Sequence, residues 1–308
     1  MRTLLKAVGN RFLIAYVLTY AVALWHLSRQ PGFELGEALA VLVIVGILLS
    51  SLAWLFTRKA EPLPLTVKSP GKELVVLFLW MAPICAYLVW GAGVLRSAVP
   101  EEPAQSLVIL VVKLALFVAL PAALLLRGWG YRVGELASVG MRWQQLKPAL
   151  WMSLAVLVMQ GVVGRGLRDL GQAQVPGWLA AVAAPLAFSW LLLEVGLVEE
   201  FFFRVLLQTR LARLCGSELG GILAASTLFG LLHAPGFYLR TSSTLEALGP
   251  SPSLATALAY SLVVTSVAGI FLGVLWARTR NLAVVVIVHA AADLIPNLLP
   301  FLKAWHLH

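Results

Sequence analysis

The segment VEEFFFRVLL, residues 198–207, places three charged side chains in an otherwise apolar stretch. Glu200 and Arg204 are four residues apart, so on a helix they lie on one face and can form an ion pair. Glu199 is rotated by about 100° from Glu200 around the helix axis and does not share that geometry. One carboxylate therefore has its counter-ion in the same helix, while its neighbour faces another part of the protein.

Two later segments carry polar side chains at the same four-residue spacing. FGLLH contains Phe229 and His233, and HAAAD contains His289 and Asp293. The Gly-rich and Ala-rich neighbours of these residues allow helices to approach closely. A carboxylate and an imidazole that meet in a wet pocket are the parts of a general base that activates water. Glu199 and the two histidines are therefore candidates for such a site.

Other interpretations of these residues stay open. Glu200 and Arg204 form a structural pair whether or not the site is catalytic, and an intramembrane histidine is often a hydrogen-bonding group between helices. Nitrogen and oxygen ligands from separate helices also suit zinc, although the HExxH motif of common zinc proteases is absent. Such a site would use Glu199, His233, His289 and Asp293. The sequence has no Gly-x-Ser-x-Gly elbow for a serine mechanism.

The composition indicates which kind of protein must position these residues. Of the 308 residues, 60% are hydrophobic and 12% are charged. Soluble domains are about 45–50% apolar and about 25% charged, so the chain is predicted to be a polytopic membrane protein. The two cysteines, Cys85 and Cys215, have no metal-type spacing and form no disulfide framework.

A membrane core about 30 Å thick requires about 20 helical residues, and nine apolar stretches are candidate spans. They fall near 12–28, 38–57, 74–95, 107–126, 148–164, 178–203, 219–233, 254–277 and 282–302. The first and the seventh are short, so we expect about eight or nine spans. Most of the 23 basic residues fall in inner connections if the N-terminus is cytoplasmic. The net charge of +9 therefore reports topology, and no nucleic-acid partner is expected.

The predicted fold is an all-α, polytopic transmembrane helical bundle in three regions. Residues 1–126 form an N-terminal region of four spans, residues 127–147 form a Gly- and Arg-rich cytoplasmic connection, and residues 148–308 form the catalytic core. No internal repeat is evident, which disfavours an inverted-repeat transporter. Two isolated charges stand out within spans: Lys113 either snorkels or faces the bundle, and Glu194 has no partner recognisable from the sequence.

The three motifs in this order resemble the CAAX protease and bacteriocin-processing family of intramembrane glutamic endopeptidases, which includes the Ras-converting CAAX endopeptidase. The motifs are EExxxR at Glu199, FxxxH at Phe229 and HxxxD at His289, and the likeness covers roughly residues 178–297. The resemblance implies an enzyme, a peptidase that depends on glutamate and needs no cofactor. Zinc is the alternative, with the same residues as ligands.

The resemblance also implies roles for individual residues. Glu199 would be the general base that acts on water together with His233, and Glu200 with Arg204 would be the supporting pair. Phe229 would pack at the site. The last motif, His289 and Asp293, would stabilise the oxyanion or orient the group that does so. Many relatives have Asn at the position of Asp293, and because an ionised Asp cannot donate a hydrogen bond, we expect it to hold His289 in its useful tautomer.

The resemblance further implies a membrane-anchored protein or peptide substrate that is cut near its C-terminal membrane-associated end. In some bacterial relatives this is the removal of C-terminal sorting tails, in the manner of a sortase. An excess of Arg over Lys, with many Ala, Leu and Gly, is typical of a GC-rich bacterial gene. We therefore expect a multi-pass protein of the bacterial inner (plasma) membrane. A non-catalytic bacteriocin-immunity or binding protein with the same fold stays an alternative.

Overall fold

The computed structural model describes residues 11–239 and 252–308, and in this part of the chain all regular structure is helical, with no strand. Nine helices in these ranges are long and apolar enough to cross a membrane. They are α1 (Arg11–Ser28), α2 (Leu35–Phe56), α3 (Pro70–Ala98), α4 (Ala104–Trp129), α5 (Trp143–Val163), α6 (Gly177–Cys215), α7 (Glu218–Leu239), α8 (Leu254–Thr279) and α9 (Leu282–Ala304). The predicted all-α, multi-pass fold is confirmed. The cytoplasmic N-terminus stays a prediction.

Helix α6 is longer than the sequence predicts. We expect a span that ends near 203, because Arg204 and Arg210 resemble the basic residues of an inner loop. Both residues instead lie within the helix, and their side chains are buried. Arg204 pairs with Glu200. Arg210 pairs with Glu73, whose Oε2 lies 2.6 Å from Arg210 Nε. The predicted end is wrong because a paired guanidinium is compatible with burial. The helix ends where Gly216 adopts a left-handed conformation with φ of 61°.

The described residues fall into two compact units. Unit 1 contains residues 11–54, 67–89, 206–239 and 252–277. Its core includes Tyr20, Leu27, Val263 and Val267, which bring α1 against α8. The hydroxyl groups of Tyr16 and Ser266 are hydrogen-bonded at 2.7 Å, between the same two helices.

Unit 2 contains residues 55–66, 90–205 and 278–308, and helix α9 is central to its packing. α9 contacts α5, the part of α6 from Gly177 to Glu200, and the short helix Gly166–Gln172. Ala183, Ala187 and Leu298 are buried in this packing, and the rings of Trp190 and Trp305 meet edge to face. The sequence-predicted division into regions 1–126, 127–147 and 148–308 stays a prediction.

The connection between α4 and α5 contains a short helix, Val133–Leu136. After this helix the chain is tied to the start of α9 by two hydrogen bonds between Asn281 and the backbone of Gly140. The backbone N–H of Leu282 also donates to the carbonyl of Ser138 at 3.0 Å. The connection thereby fixes the beginning of the helix that carries His289 and Asp293.

Candidate active site

Helices α6 and α9 approach each other closely at a glycine just before the two glutamates. A Cβ atom at Gly196 would lie 2.8 Å from the carbonyl oxygen of Val286, which is closer than real Cβ contacts. Only glycine therefore fits between the two backbones at this point. Three residues further along each helix lie Glu199 and His289, and this close approach places their side chains within reach of each other.

The glutamates occupy a short α-helical stretch, Val198–Glu200, between π-helical turns at Leu192–Leu197 and Phe201–Gln208. A π-helical turn changes the direction in which the following side chains point, and such turns are frequent at functional sites. Glu199 and Glu200, which are adjacent in this stretch, differ in burial. The side chain of Glu200 is fully buried, whereas that of Glu199 is 15% exposed.

Glu200 forms the ion pair with Arg204 that their spacing predicts. Nε of Arg204 donates to Oε2 of Glu200 at 3.0 Å, and both side chains are completely buried. Two buried charges are tolerated only when their geometry and further hydrogen bonds compensate for lost hydration. The other oxygen of Glu200 supplies such a bond, to His289.

His289 is held by Glu200 across the two helices. Nδ1 of His289 lies 2.8 Å from Oε1 of Glu200. An ionised carboxylate only accepts hydrogen bonds, so Nδ1 carries the proton and donates. Arg204, Glu200 and His289 thus form one chain of charge-assisted bonds that fixes the ring.

The second ring nitrogen of His289 faces two more carboxylates. Nε2 lies 3.8 Å from Oδ2 of Asp293 and 4.0 Å from Oε2 of Glu199. These separations exceed direct hydrogen-bond distance, so both carboxylates act on Nε2 through their charge. The Asp293 side chain is 33% exposed, so this side of the imidazole is the more open one. The group that orients the ring through Nδ1 is Glu200; the predicted tautomer role of Asp293 stays a prediction.

Phe229 and His233 belong to unit 1 and are in contact with each other there. Their ring centroids are 4.7 Å apart, and Nδ1 of His233 donates to the backbone carbonyl of Phe229 at 2.7 Å. The histidine is thereby fixed against its own helix, α7. Its predicted role beside Glu199 stays a prediction.

Sequence reasoning identified Lys113 and Glu194 separately and missed that they are partners. Nζ of Lys113 on α4 lies 2.6 Å from Oε1 of Glu194 on α6, and the two side chains are 16% and 23% exposed. Lys113 therefore faces the protein interior, and Glu194 has a counter-ion five residues before Glu199. The available signal was that Lys113 is a single cation in one apolar span, while Glu194, in another span, is a carboxylate with no basic residue one turn away.

A second missed contact lies beside Asp293. Nε2 of Gln160 on α5 donates to the carbonyl of Ala292 at 3.1 Å, and the side-chain amide of Asn297 donates to the carbonyl of Asp293 at 2.9 Å. Both bonds provide a hydrogen-bond donor to a backbone carbonyl of α9, in a membrane-spanning helix where water is scarce. They hold the backbone of the HxxxD motif in place.

The zinc alternative requires ligands that converge on one point. Among residues 11–239 and 252–308, no three His, Cys, Asp or Glu side chains are arranged so that they could hold a metal ion. Nδ1 of His289 is hydrogen-bonded to Glu200, and Nε2 lies about 4 Å from the carboxylates of Glu199 and Asp293. The arrangement of these side chains therefore does not fit a zinc ion.

Comparison with known proteins identifies one matching protein family. No curated protein and no solved structure matches the chain. A family model does match, and its segment contains all three motifs, from Glu199 to Asp293. The resemblance that the motifs predict is thus confirmed, since residues 181–295 match the family of the Rce1-like type II CAAX prenyl endopeptidases.

Proposed function

We propose that the protein is an intramembrane endopeptidase that hydrolyses a peptide bond near the C-terminal, membrane-associated end of its protein substrates. One observation carries the proposal: in a segment matched by a CAAX endopeptidase family, Glu199 and Asp293 each place a carboxylate oxygen within 4.0 Å of Nε2 of His289. The family supports a CAAX-type membrane protease in general, and the residue roles below are our own assignment.

Glu199 is the general base in this proposal. Its carboxylate takes a proton from the water molecule while the water oxygen forms a bond to the carbonyl carbon of the substrate, which gives a tetrahedral intermediate. The carbon–nitrogen bond then breaks, and Glu199 returns the proton to the departing amine. Partial exposure suits Glu199 to this role, because the base must reach water and substrate, whereas fully buried Glu200 is occupied by Arg204 and His289.

His289 stabilises the oxyanion of this intermediate through Nε2. The role requires a doubly protonated ring, with Nδ1–H on Glu200 and Nε2–H directed at the oxyanion. The bonds from Arg204 through Glu200 to His289 fix the donor before substrate binds, and preorganised donors of this kind lower the barrier by about 3–4 kcal/mol. In this proposal Asp293 helps to orient His289 from the side of Nε2. His233 contributes to the activation of water together with Glu199.

The substrate in this proposal is a membrane-anchored protein, because the site residues lie on helices long and apolar enough to span a bilayer. The inferred host is a bacterium, with the protein in its inner membrane. Removal of C-terminal sorting tails from exported proteins is the processing that fits this location.

The test compares the C-termini of membrane proteins by mass spectrometry in host cells that carry the wild-type protein, Glu199→Gln or Glu101→Gln. Glu101 is an exposed glutamate outside the site and serves as the matched control. We expect a set of proteins to keep their C-terminal tails in Glu199→Gln and to lose them in the other two strains. Identical termini in all three strains, with equal amounts of protein, would reject C-terminal processing.

The metal-dependent alternative is tested on the purified protein, and the non-catalytic alternative is tested in host cells. Activity that a strong chelator abolishes and zinc restores would replace the glutamic mechanism with a metal mechanism. A host phenotype that survives in Glu199→Gln would indicate a binding or immunity protein. The proposed mechanism predicts that a chelator leaves the activity unchanged and that Glu199→Gln removes the phenotype.

A further inference from the structure

A polar cavity of about 220 Å³ lies in unit 2 where several membrane-spanning helices begin or end. α2 ends at Phe56 and α8 at Thr279, while α5 begins at Trp143 and α9 at Leu282. Spans end where the hydrocarbon core meets the lipid headgroups, so the cavity lies at headgroup depth. The residues that line it include Lys59, Glu61, Arg142, Gln144, Gln145 and Asn281.

The wall of this cavity is a hydrogen-bonded framework of three chain segments. Asn281 is 1% exposed; its Oδ1 accepts from Gly140 N at 3.1 Å and its Nδ2 donates to Gly140 O at 2.9 Å. The N–H of Leu63 donates to the carbonyl of Thr279 at 3.0 Å. A Cβ at Gly140 would lie 2.5 Å from Oε1 of Gln145, so the Gln145 side chain packs directly against the backbone of Gly140. The cavity is therefore formed before any ligand binds, which lowers the entropic cost of binding.

The charges around the cavity favour an anion. Its lining includes two cationic side chains, Lys59 and Arg142, and one carboxylate, Glu61, so the net charge of the lining is positive. The amides of Gln144 and Gln145 add potential hydrogen-bond donors. A guanidinium and an ammonium group that line one cavity match the charge of a phosphate, and the planar guanidinium also matches its geometry.

Exposed apolar side chains continue from the cavity along the connection between α4 and α5. Val139, Met141 and Trp143 are 56%, 71% and 62% exposed, and Arg142 lies among them. Apolar and tryptophan side chains that alternate with basic residues are typical of segments in the membrane interface. A ligand with a phosphate head and an apolar tail therefore fits the cavity and its surroundings together.

We propose that this cavity is a binding site for the phosphate headgroup of an anionic phospholipid, with Lys59 and Arg142 contacting the phosphate and Met141 and Trp143 contacting the acyl chains. The site does not depend on the proposed peptidase activity. Asn281 caps the N-terminus of α9. An occupied site therefore stabilises the N-terminus of the helix that carries His289.

Native mass spectrometry of the purified protein tests this site directly. The wild-type protein is incubated in detergent with phosphatidylglycerol or phosphatidylcholine of the same acyl chains, and the bound lipid is counted. We expect phosphatidylglycerol to be retained in preference, and Lys59→Gln/Arg142→Gln to weaken its retention about tenfold or more. Arg96→Gln/Arg168→Gln removes the same charge away from the cavity and should retain lipid as the wild type does.

Three results would overturn the proposal. The first is equal retention of the two lipids, and the second is equal retention by the cavity variant and the control variant. The third is a thermal shift with inorganic phosphate but no retained lipid, which would assign the cavity to free phosphate. If the double variant is not monodisperse, Lys59→Gln alone is measured, since Lys59 is exposed and follows the end of α2.

Discussion

His289 donates a hydrogen bond through Nδ1 to Oε1 of Glu200 over 2.8 Å, although the two residues are 89 positions apart in the chain. Oε2 of the same carboxylate accepts from Arg204 at 3.0 Å. Glu200 therefore joins two helices of the site, and it is more than the counter-ion of an arginine. Its neighbour Glu199 has the more exposed side chain and faces the other nitrogen of the imidazole.

Replacement of the two adjacent glutamates should separate structure from catalysis. Glu200→Ala leaves Arg204 and His289 without their shared carboxylate in a buried setting, and loss of one partner of a buried pair costs about 3–5 kcal/mol. We expect a clear fall in the thermal unfolding temperature of the purified protein. Glu199→Ala is the control and should unfold within a few degrees of the wild type. Equal unfolding temperatures for wild type and Glu200→Ala would contradict the role of Glu200 as a link between helices.

Two substitutions at Asp293 should reveal whether its charge is required. Asp293→Asn keeps a side-chain oxygen about 4 Å from Nε2 of His289, whereas Asp293→Leu removes every polar atom there. We expect kcat/KM to fall less than about tenfold in Asp293→Asn and at least a hundredfold in Asp293→Leu, because a misoriented His289 loses an oxyanion interaction that contributes about 10²–10³ in rate. If both variants lose activity equally, a negative charge beside His289 is essential.

The close approach of α6 and α9 should not tolerate a methyl group. In Gly196→Ala the added Cβ would lie 2.8 Å from the carbonyl oxygen of Val286, so the helices must move apart. We expect a loss of about 1–3 kcal/mol in unfolding free energy and about a hundredfold loss of activity, since a shift of 1 Å at a site has that effect. Gly93→Ala, in α3, is the control, because its Cβ would meet nothing within 4 Å. Equal activity of the two alanine variants would show that this contact does not position Glu199.

The Lys113–Glu194 pair is suited to a charge-reversal experiment. Lys113→Glu and Glu194→Lys each place two like charges beside each other inside the membrane-spanning region, and each should lower stability. Lys113→Glu/Glu194→Lys restores the pair, and we expect a coupling free energy of about 1–3 kcal/mol from the resulting mutant cycle. Additive effects, with no recovery in the reversed variant, would show that the 2.6 Å contact contributes nothing to stability.

The sequence predicts contacts within one helix and leaves contacts between helices open. Glu200 and Arg204 are four residues apart, so helical geometry alone predicts their pairing. The pairing of Glu200 with His289 depends on how each helix is rotated about its axis. The same holds for the pairing of Lys113 with Glu194. A span that is apolar on all sides carries no periodic pattern to indicate that rotation.

The same limitation explains the misplaced end of α6. Arg204 and Arg210 look like loop residues because a basic side chain normally marks the edge of a span. Their carboxylate partners lie inside the protein, at Glu200 on α6 itself and at Glu73 on α3. The type and number of spans were predictable from hydropathy, because long apolar segments have few alternatives to a membrane helix. The burial of paired charges depends on tertiary structure.

The most direct test of the account is the single-turnover rate of wild-type protein and Glu199→Gln in liposomes. The substrate is one of the proteins whose C-terminal tail is retained in cells that carry the variant. The account predicts cleavage at least about a hundredfold slower in Glu199→Gln, the usual effect of removing a general base, at an unchanged unfolding temperature. Cleavage within threefold of the wild-type rate would show that Glu199 is not the base.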